Sequence, residues 1–123
     1  MLAPIYRTLN TAAIQAIVGN PPRIYGSGSA PQGVTKPYIT WFAVVGLPFD
    51  HLSGAPGADN DTTQIDCWAG PDDDQALVCV NLAAAVRSAL DAAGQINRII
   101  IDTREDDTGL FHIGLQVDFI HNR

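Results

Sequence analysis

The clearest pattern in the chain lies near its end. In Leu110–Ile120, "LFHIGLQVDFI", Phe111, Ile113, Leu115, Val117 and Phe119 alternate with His112, Gln116 and Asp118. A period of two predicts a strand with one apolar face turned inward and one polar face turned out. "RIIIDTRE" (Arg98–Glu105) precedes it, and Asp106-Asp107-Thr108-Gly109 supplies turn chemistry, so these two segments are expected to form an antiparallel hairpin. "TTQIDCWA" (Thr62–Ala69) predicts another strand, with Ile65 and Cys67 on one face and Gln64, Asp66 and Trp68 on the other. "PYITWFAVVG" (Pro37–Gly46) is rich in aromatic and β-branched residues and reads as a strand with apolar side chains on both faces. Ile24-Tyr25 is a candidate short strand.

Two segments carry a helical period instead. From Ala3 to Val18, the residues Ile5, Leu9, Ala13, Ala16 and Ile17 recur at helical spacing until Gly19-Asn20-Pro21-Pro22 stops them. From Asp72 to about Ala93, Leu82, Val86, Ala89 and Ala93 form a stripe with Leu90 beside it, and Gly94 ends the run. The acids Asp72, Asp73 and Asp74 are expected to open this helix by capping its free amide groups. The order helix, short strand, strand, strand, helix, strand, strand predicts an α/β (α+β) fold. It is a two-layer sandwich: a mainly antiparallel sheet of four to five strands with two helices on one face. Residues 1–123 are expected to be a single domain, with no repeat and no linker.

Composition narrows the function. The chain is 46% hydrophobic and 16% charged, globular in character, with few charges to cover a free surface. Its formal net charge is −6, and its seven basic residues are scattered between Arg7 and Arg123. A nucleic-acid reader needs a basic footprint, so that class is disfavoured. No apolar run is long enough to span a bilayer, and "MLAPIYRTLN" lacks the charged and apolar regions of a signal peptide, so an intracellular origin is expected. Cys67 and Cys79 match no zinc spacing and are expected to be buried thiols.

The motifs that could carry chemistry do not complete their requirements. Gly28 to Gly33 has the glycine spacing of a P-loop, but Val34 stands where the lysine is needed, and Pro37 leads into a strand rather than a helix. Asp59-Asn60-Asp61-Thr62 lacks the glycine and distal glutamate of a calcium loop. A Ser/His/Asp triad would have to be assembled in space, and His112 is expected to be a solvated or interfacial residue of a polar strand face. No enzyme, cofactor or metal is expected.

Two long loops remain, Gly26–Lys36 and Leu47–Asn60, on either side of one strand. They carry apolar residues a simple linker would not need, so Pro31, Gln32, Gly33, Val34, Leu47, Phe49 and Leu52 are candidate contacts with neighbouring subunits. With these loops in view, the chain resembles the tail-completion, or tail-terminator, proteins of long-tailed bacteriophages. The residues that carry the likeness are Pro31-Gln32-Gly33 with Pro37-Tyr38, Ile65-Asp66-Cys67-Trp68 before an Ala/Leu helix containing Arg87, and the terminal hairpin. The Pro/Gly-rich run Ser53–Asn60 departs from that pattern.

The resemblance implies a structural virion protein, assembled in the host cytoplasm and residing at the head-proximal end of the tail. It implies a ring, usually of six subunits, that caps the tail tube, ends elongation and offers a surface for head attachment. Its implied partners are other copies of itself, the tail tube protein, a head–tail connector protein and, in contractile tails, the sheath protein. DNA would pass through without specific binding, and Asp106 and Asp107 are candidate acids of the lumen. A neck or head–tail connector subunit is the nearest alternative. A small-molecule binding domain and an unrecognised hydrolase are the alternatives from other classes.

Overall fold

The computed structural model describes residues 4–26, 30–44 and 58–122. Eight elements follow in order: α1 (Ile5–Leu9), α2 (Ala12–Val18), β1 (Ile24–Tyr25), β2 (Tyr38–Val44), β3 (Ala58–Ala69), α3 (Gln75–Ala92), β4 (Ile96–Arg104) and β5 (Phe111–Asn122). The strands make one open sheet of five in the order β1-β2-β3-β5-β4. β1 runs parallel to β2, and the remaining pairs are antiparallel, so the sheet is mixed but mainly antiparallel, as expected.

The pair β3–β5 forms the centre, matched from Ala58↔Asn122 to Ala69↔Phe111. Alternation places Ile65, Cys67 and Ala69 of β3 on the same side as Ile113, Leu115, Val117 and Phe119 of β5. α3 lies on this side and contributes Cys79, Leu82, Ala83, Val86 and Leu90 to one apolar cluster. Ile5, Leu9, Ile14 and Val18 of the first two helices join the same cluster. Fully burying an aliphatic side chain is worth about 1.5–3 kcal/mol, so this single-sided core dominates stability.

The N-terminal helix differs from the sequence expectation. It is two short helices broken at Asn10-Thr11, which raises the helix count to three. Thr11 is extended and its hydroxyl accepts a bond from the Ile14 amide at 3.3 Å, an N-cap that a continuous helix would not need. The break re-phases the chain. Ile14 and Val18 turn inward, whereas Ala13 and Ala16, expected in the stripe, are exposed.

Three further expectations are corrected. Asp72–Asp74 precede α3 rather than opening it, and Asp74 at the N-cap makes no side-chain cap bond; Asp73 instead meets Arg104 at 3.0 Å. β3 begins at Ala58, inside a stretch read as loop, because it pairs with the end of β5. His112 lies on the face away from the helices, as its phase requires, but it is buried rather than solvated.

Cys67 and Cys79 are free and buried as expected, and the Cys79 thiol approaches the Cys67 and Phe111 carbonyls at 3.5 and 3.6 Å. Burial raises the Cys67 thiol well above its ordinary value, with Cys79 and Asp66 adding to it. Burial likewise pushes Cys79 up to about 11, helped by Asp102 and opposed by a backbone hydrogen bond at Ile113. A raised folded-state value means the native state holds its protons longer than the unfolded chain. The stabilisation is complete below about pH 9, the ordinary thiol value, and is lost as pH rises through about 11. Urea midpoints should therefore fall across this window, and a Cys67→Ala/Cys79→Ala variant, though less stable at neutral pH, should fall less steeply. Parallel pH profiles would remove the thiols as the cause.

Candidate assembly surface

The first candidate residues sit on a turn. The Val34 amide donates to the Pro31 carbonyl at 3.2 Å, and Gly33 has φ +74°. A positive φ at the third position of a four-residue turn is the geometry that favours glycine. Pro31, Gln32 and Gly33 are exposed and Val34 is half-buried, so the turn projects as a contact loop would. Leu47, Phe49 and Leu52 lie outside the described residues.

Behind the turn is a shallow groove of about 310 Å³ between Pro31, Val34, Tyr38, Pro71 and Leu110. Lys36 is the one charged residue in its lining. Such a groove suits an apolar side chain from a neighbour.

The floor of the groove is fastened by a residue that sequence reasoning missed. Arg104, at the end of β4, donates from Nη2 to the Pro71 carbonyl at 2.6 Å and from Nε to the Gly109 carbonyl at 2.9 Å. Its Nη1 meets Asp73 Oδ1 at 3.0 Å, and the guanidinium sits 4.6 Å over the Phe111 ring. It ties the β4–β5 turn to the segment that enters α3. A planar fork of donors is what allows one side chain to serve three acceptors. The exposed ion pair adds little by itself. Asp106 and Asp107, the candidate lumen acids, are exposed on that turn. Of the other acids, Asp102 is exposed and Asp118 accepts from the Thr62 hydroxyl at 3.0 Å.

The sheet face away from the helices is a row of rings. Tyr25 meets Tyr38 edge-on at 6.4 Å, Tyr38 stacks on Trp68 at 6.2 Å, and Trp68 stacks on His112 at 4.0 Å. Stacked against one another, Trp68 and His112 spend faces that would otherwise be free for a base or sugar. Trp68 Nε1 also donates to the Thr40 hydroxyl at 3.0 Å.

His112 Nε2 lies 2.7 Å from Asp66 Oδ1, both residues being buried. Gln64 Nε2 donates to the same oxygen at 2.8 Å. Room for the carboxylate comes from Gly114, where a Cβ would stand 2.9 Å from Asp66 Oδ1. His112 Nδ1 is 3.3 Å from Glu105 Oε1, within ion-pair range, but among the described residues it has no hydrogen-bond partner. Two carboxylates and an indole surround this imidazole; the hydroxyl or thiol of a triad is not among its partners in the described residues. The arrangement holds β3 to β5 on the side that lacks an aliphatic core.

Removing one member of this pair strands the other in a buried site. His112→Ala should cost about 1–3 kcal/mol in urea unfolding. The double variant with Asp66→Ala should cost clearly less than the two single losses added together. Additivity within about 0.5 kcal/mol would mean that the contact does not couple the strands.

Among known proteins, no curated sequence matches the chain. In the solved virion of a native gene transfer agent particle, one chain shares its fold at a TM-score of 0.64 and 19% identity, over 93% of this chain and 88% of that one. At that identity the likeness is one of fold. A sequence model of the family described as "Tail completion protein gp17" matches residues 3–122, from the first helix through the last strand. The chain therefore belongs to the tail completion protein gp17 family, and it is a structural tail protein of phage-type virions.

Proposed function

We propose that this protein is the subunit of a closed ring, six-membered as in the proteins it resembles, that completes the tail. The ring caps the tail tube, stops its growth and presents the surface to which a DNA-filled head attaches through a connector protein. In a contractile tail it also meets the last sheath ring. The family match across residues 3–122 carries this reading. The exposed Pro31–Val34 turn, with the groove it walls, adds support by offering one of the two patches that a heterologous ring contact needs.

Light scattering of the purified protein, alone and with isolated tail tubes, tests the reading. The expected result is a ring in one or both conditions, seated at tube ends in electron micrographs. A chain that stays monomeric and leaves the tubes bare and still growing would sink the idea.

DNA must cross such a ring without resting in it. The subunit's net charge of −6 suits that task, because like charge denies the phosphates a binding site. Asp106 and Asp107 are the acids we assign to the lumen; their exposed turn should tolerate substitution. Screening over ~8 Å at physiological salt leaves a modest barrier to adhesion. Asp106→Lys with Asp107→Lys should leave tails complete and heads attached while slowing DNA ejection, more so at low salt. Ejection at the wild-type rate in every salt would place these acids away from the DNA path.

A further inference from the structure

The open sheet ends in two edges of unlike exposure to water. β4 is the outer strand on one side, and Ile96 and Ile99 stand on it, 68% and 45% exposed. On the other side β1 pairs only with Ile39 and Thr40, so among the described residues no strand covers the outer edge of β2 from Trp41 to Val44. Val44 there is 43% exposed, and Ala43 is also exposed. Free edges with apolar side chains are templates for another strand.

The two edges fit each other. β2, β3, β5 and β4 are joined by three antiparallel pairings, so β2 and β4 point in opposite directions. A neighbouring copy placed to continue the sheet would therefore bring its β2 antiparallel to this β4. The cross-strand rows give the register. Val44 shares a row with Thr62, Asp118 and Ile96; Phe42 with Gln64, Gln116 and Arg98; Trp41 with Ile65, Leu115 and Ile99. Continuing these rows sets Ile96 against Val44 and Arg98 against Phe42 on one face, with Ile99 against Trp41 on the other.

Length and charge agree. Four residues of β4, Ile96–Ile99, precede the irregularity between Ile99 and Ile101, and four of β2, Trp41–Val44, extend past β1. A bulge ends regular pairing, so both free ladders stop after the same span. No ionisable side chain stands on the β2 segment, and the one on the β4 segment, Arg98, is turned along the sheet to Gln116 at 3.3 Å. No like charges oppose this docking.

We propose that Ile96–Ile99 of one subunit pairs antiparallel with Trp41–Val44 of a second copy, in register Ile96 to Val44, so that neighbours in the ring share one continuous sheet. This rests on the ring reading above and names the contact that builds it. It is a heterologous contact, with one edge given and the other received, which is the kind that closes rings.

Virions rebuilt with a Val44→Cys/Ile96→Cys variant test it. Directly opposed residues of an antiparallel pair lie about 4.5–5.5 Å apart, within disulfide reach. Cys67 and Cys79 are buried and do not compete. Mild oxidation should convert most of the chain into covalent multiples of the 13.1 kDa subunit, while either single variant stays monomeric. Monomer bands from particles whose micrographs show the ring would overturn the edge pairing and leave the ring standing. Particles with no ring would overturn both. A cross-link to a different virion protein would overturn the second copy as occupant. Hydrogen exchange on the unmodified protein guards against a variant that fails to fold. Amides of both segments should slow by roughly tenfold or more on assembly, and unchanged rates would count against the pairing.

Discussion

The fold depends on one constraint: its central pair, β3 and β5, is apolar on one side only. Ile65, Cys67 and Ala69 of β3 and Ile113, Leu115, Val117 and Phe119 of β5 enter the core beneath α3, and the residues between them must be satisfied on a face that receives none of the aliphatic helix stripe. The core face follows the ordinary rule of close-packed aliphatics. The opposite face uses stacked rings and a carboxylate shared by Gln64 and His112. Buried polar groups cost stability unless partnered, and His112, one of the two partners of Asp66, lies one strand over, so that bond also fixes the register of β3 on β5.

Much of this was legible where a period was long and uninterrupted. The alternation Ile113, Leu115, Val117, Phe119 is buried as read, and so are Leu82, Val86 and Ala89 of the helix stripe with Leu90 beside it, whereas Ala93, read as its last member, lies past the end of α3 and is exposed. What escaped the sequence was decided by contacts between distant residues. His112 has the phase of an outward residue, and only Asp66, forty-six positions away, makes its burial affordable. Ala58–Asp61 has the composition of a loop, yet pairing with Phe119–Asn122 draws it into a strand. The break at Thr11 had a local signal, a good capping residue inside a helical run, but a cap within a pattern looks like any threonine.

Of the candidate surface, the Pro31–Val34 turn could be read from its proline and glycine, and Asp106 and Asp107 from their turn chemistry. The groove behind the turn could not, because Pro71, Thr108 and Leu110 reach it only through the fold. Nor could the sheet edges, since which strand lies outermost depends on topology: β4 precedes β5 in the chain but lies beyond it in the sheet.

Arg104 also has a mechanical meaning. Its guanidinium group is a rigid plate pinned to the carbonyls of Pro71 and Gly109, with Asp73 at a third corner. A load applied to the acidic turn need not be absorbed by bending the hairpin. It passes through that plate into the start of α3 and spreads along an eighteen-residue rod seated on the sheet. A body braced in this way shares stress between its hairpin and its longest helix instead of confining it to one turn.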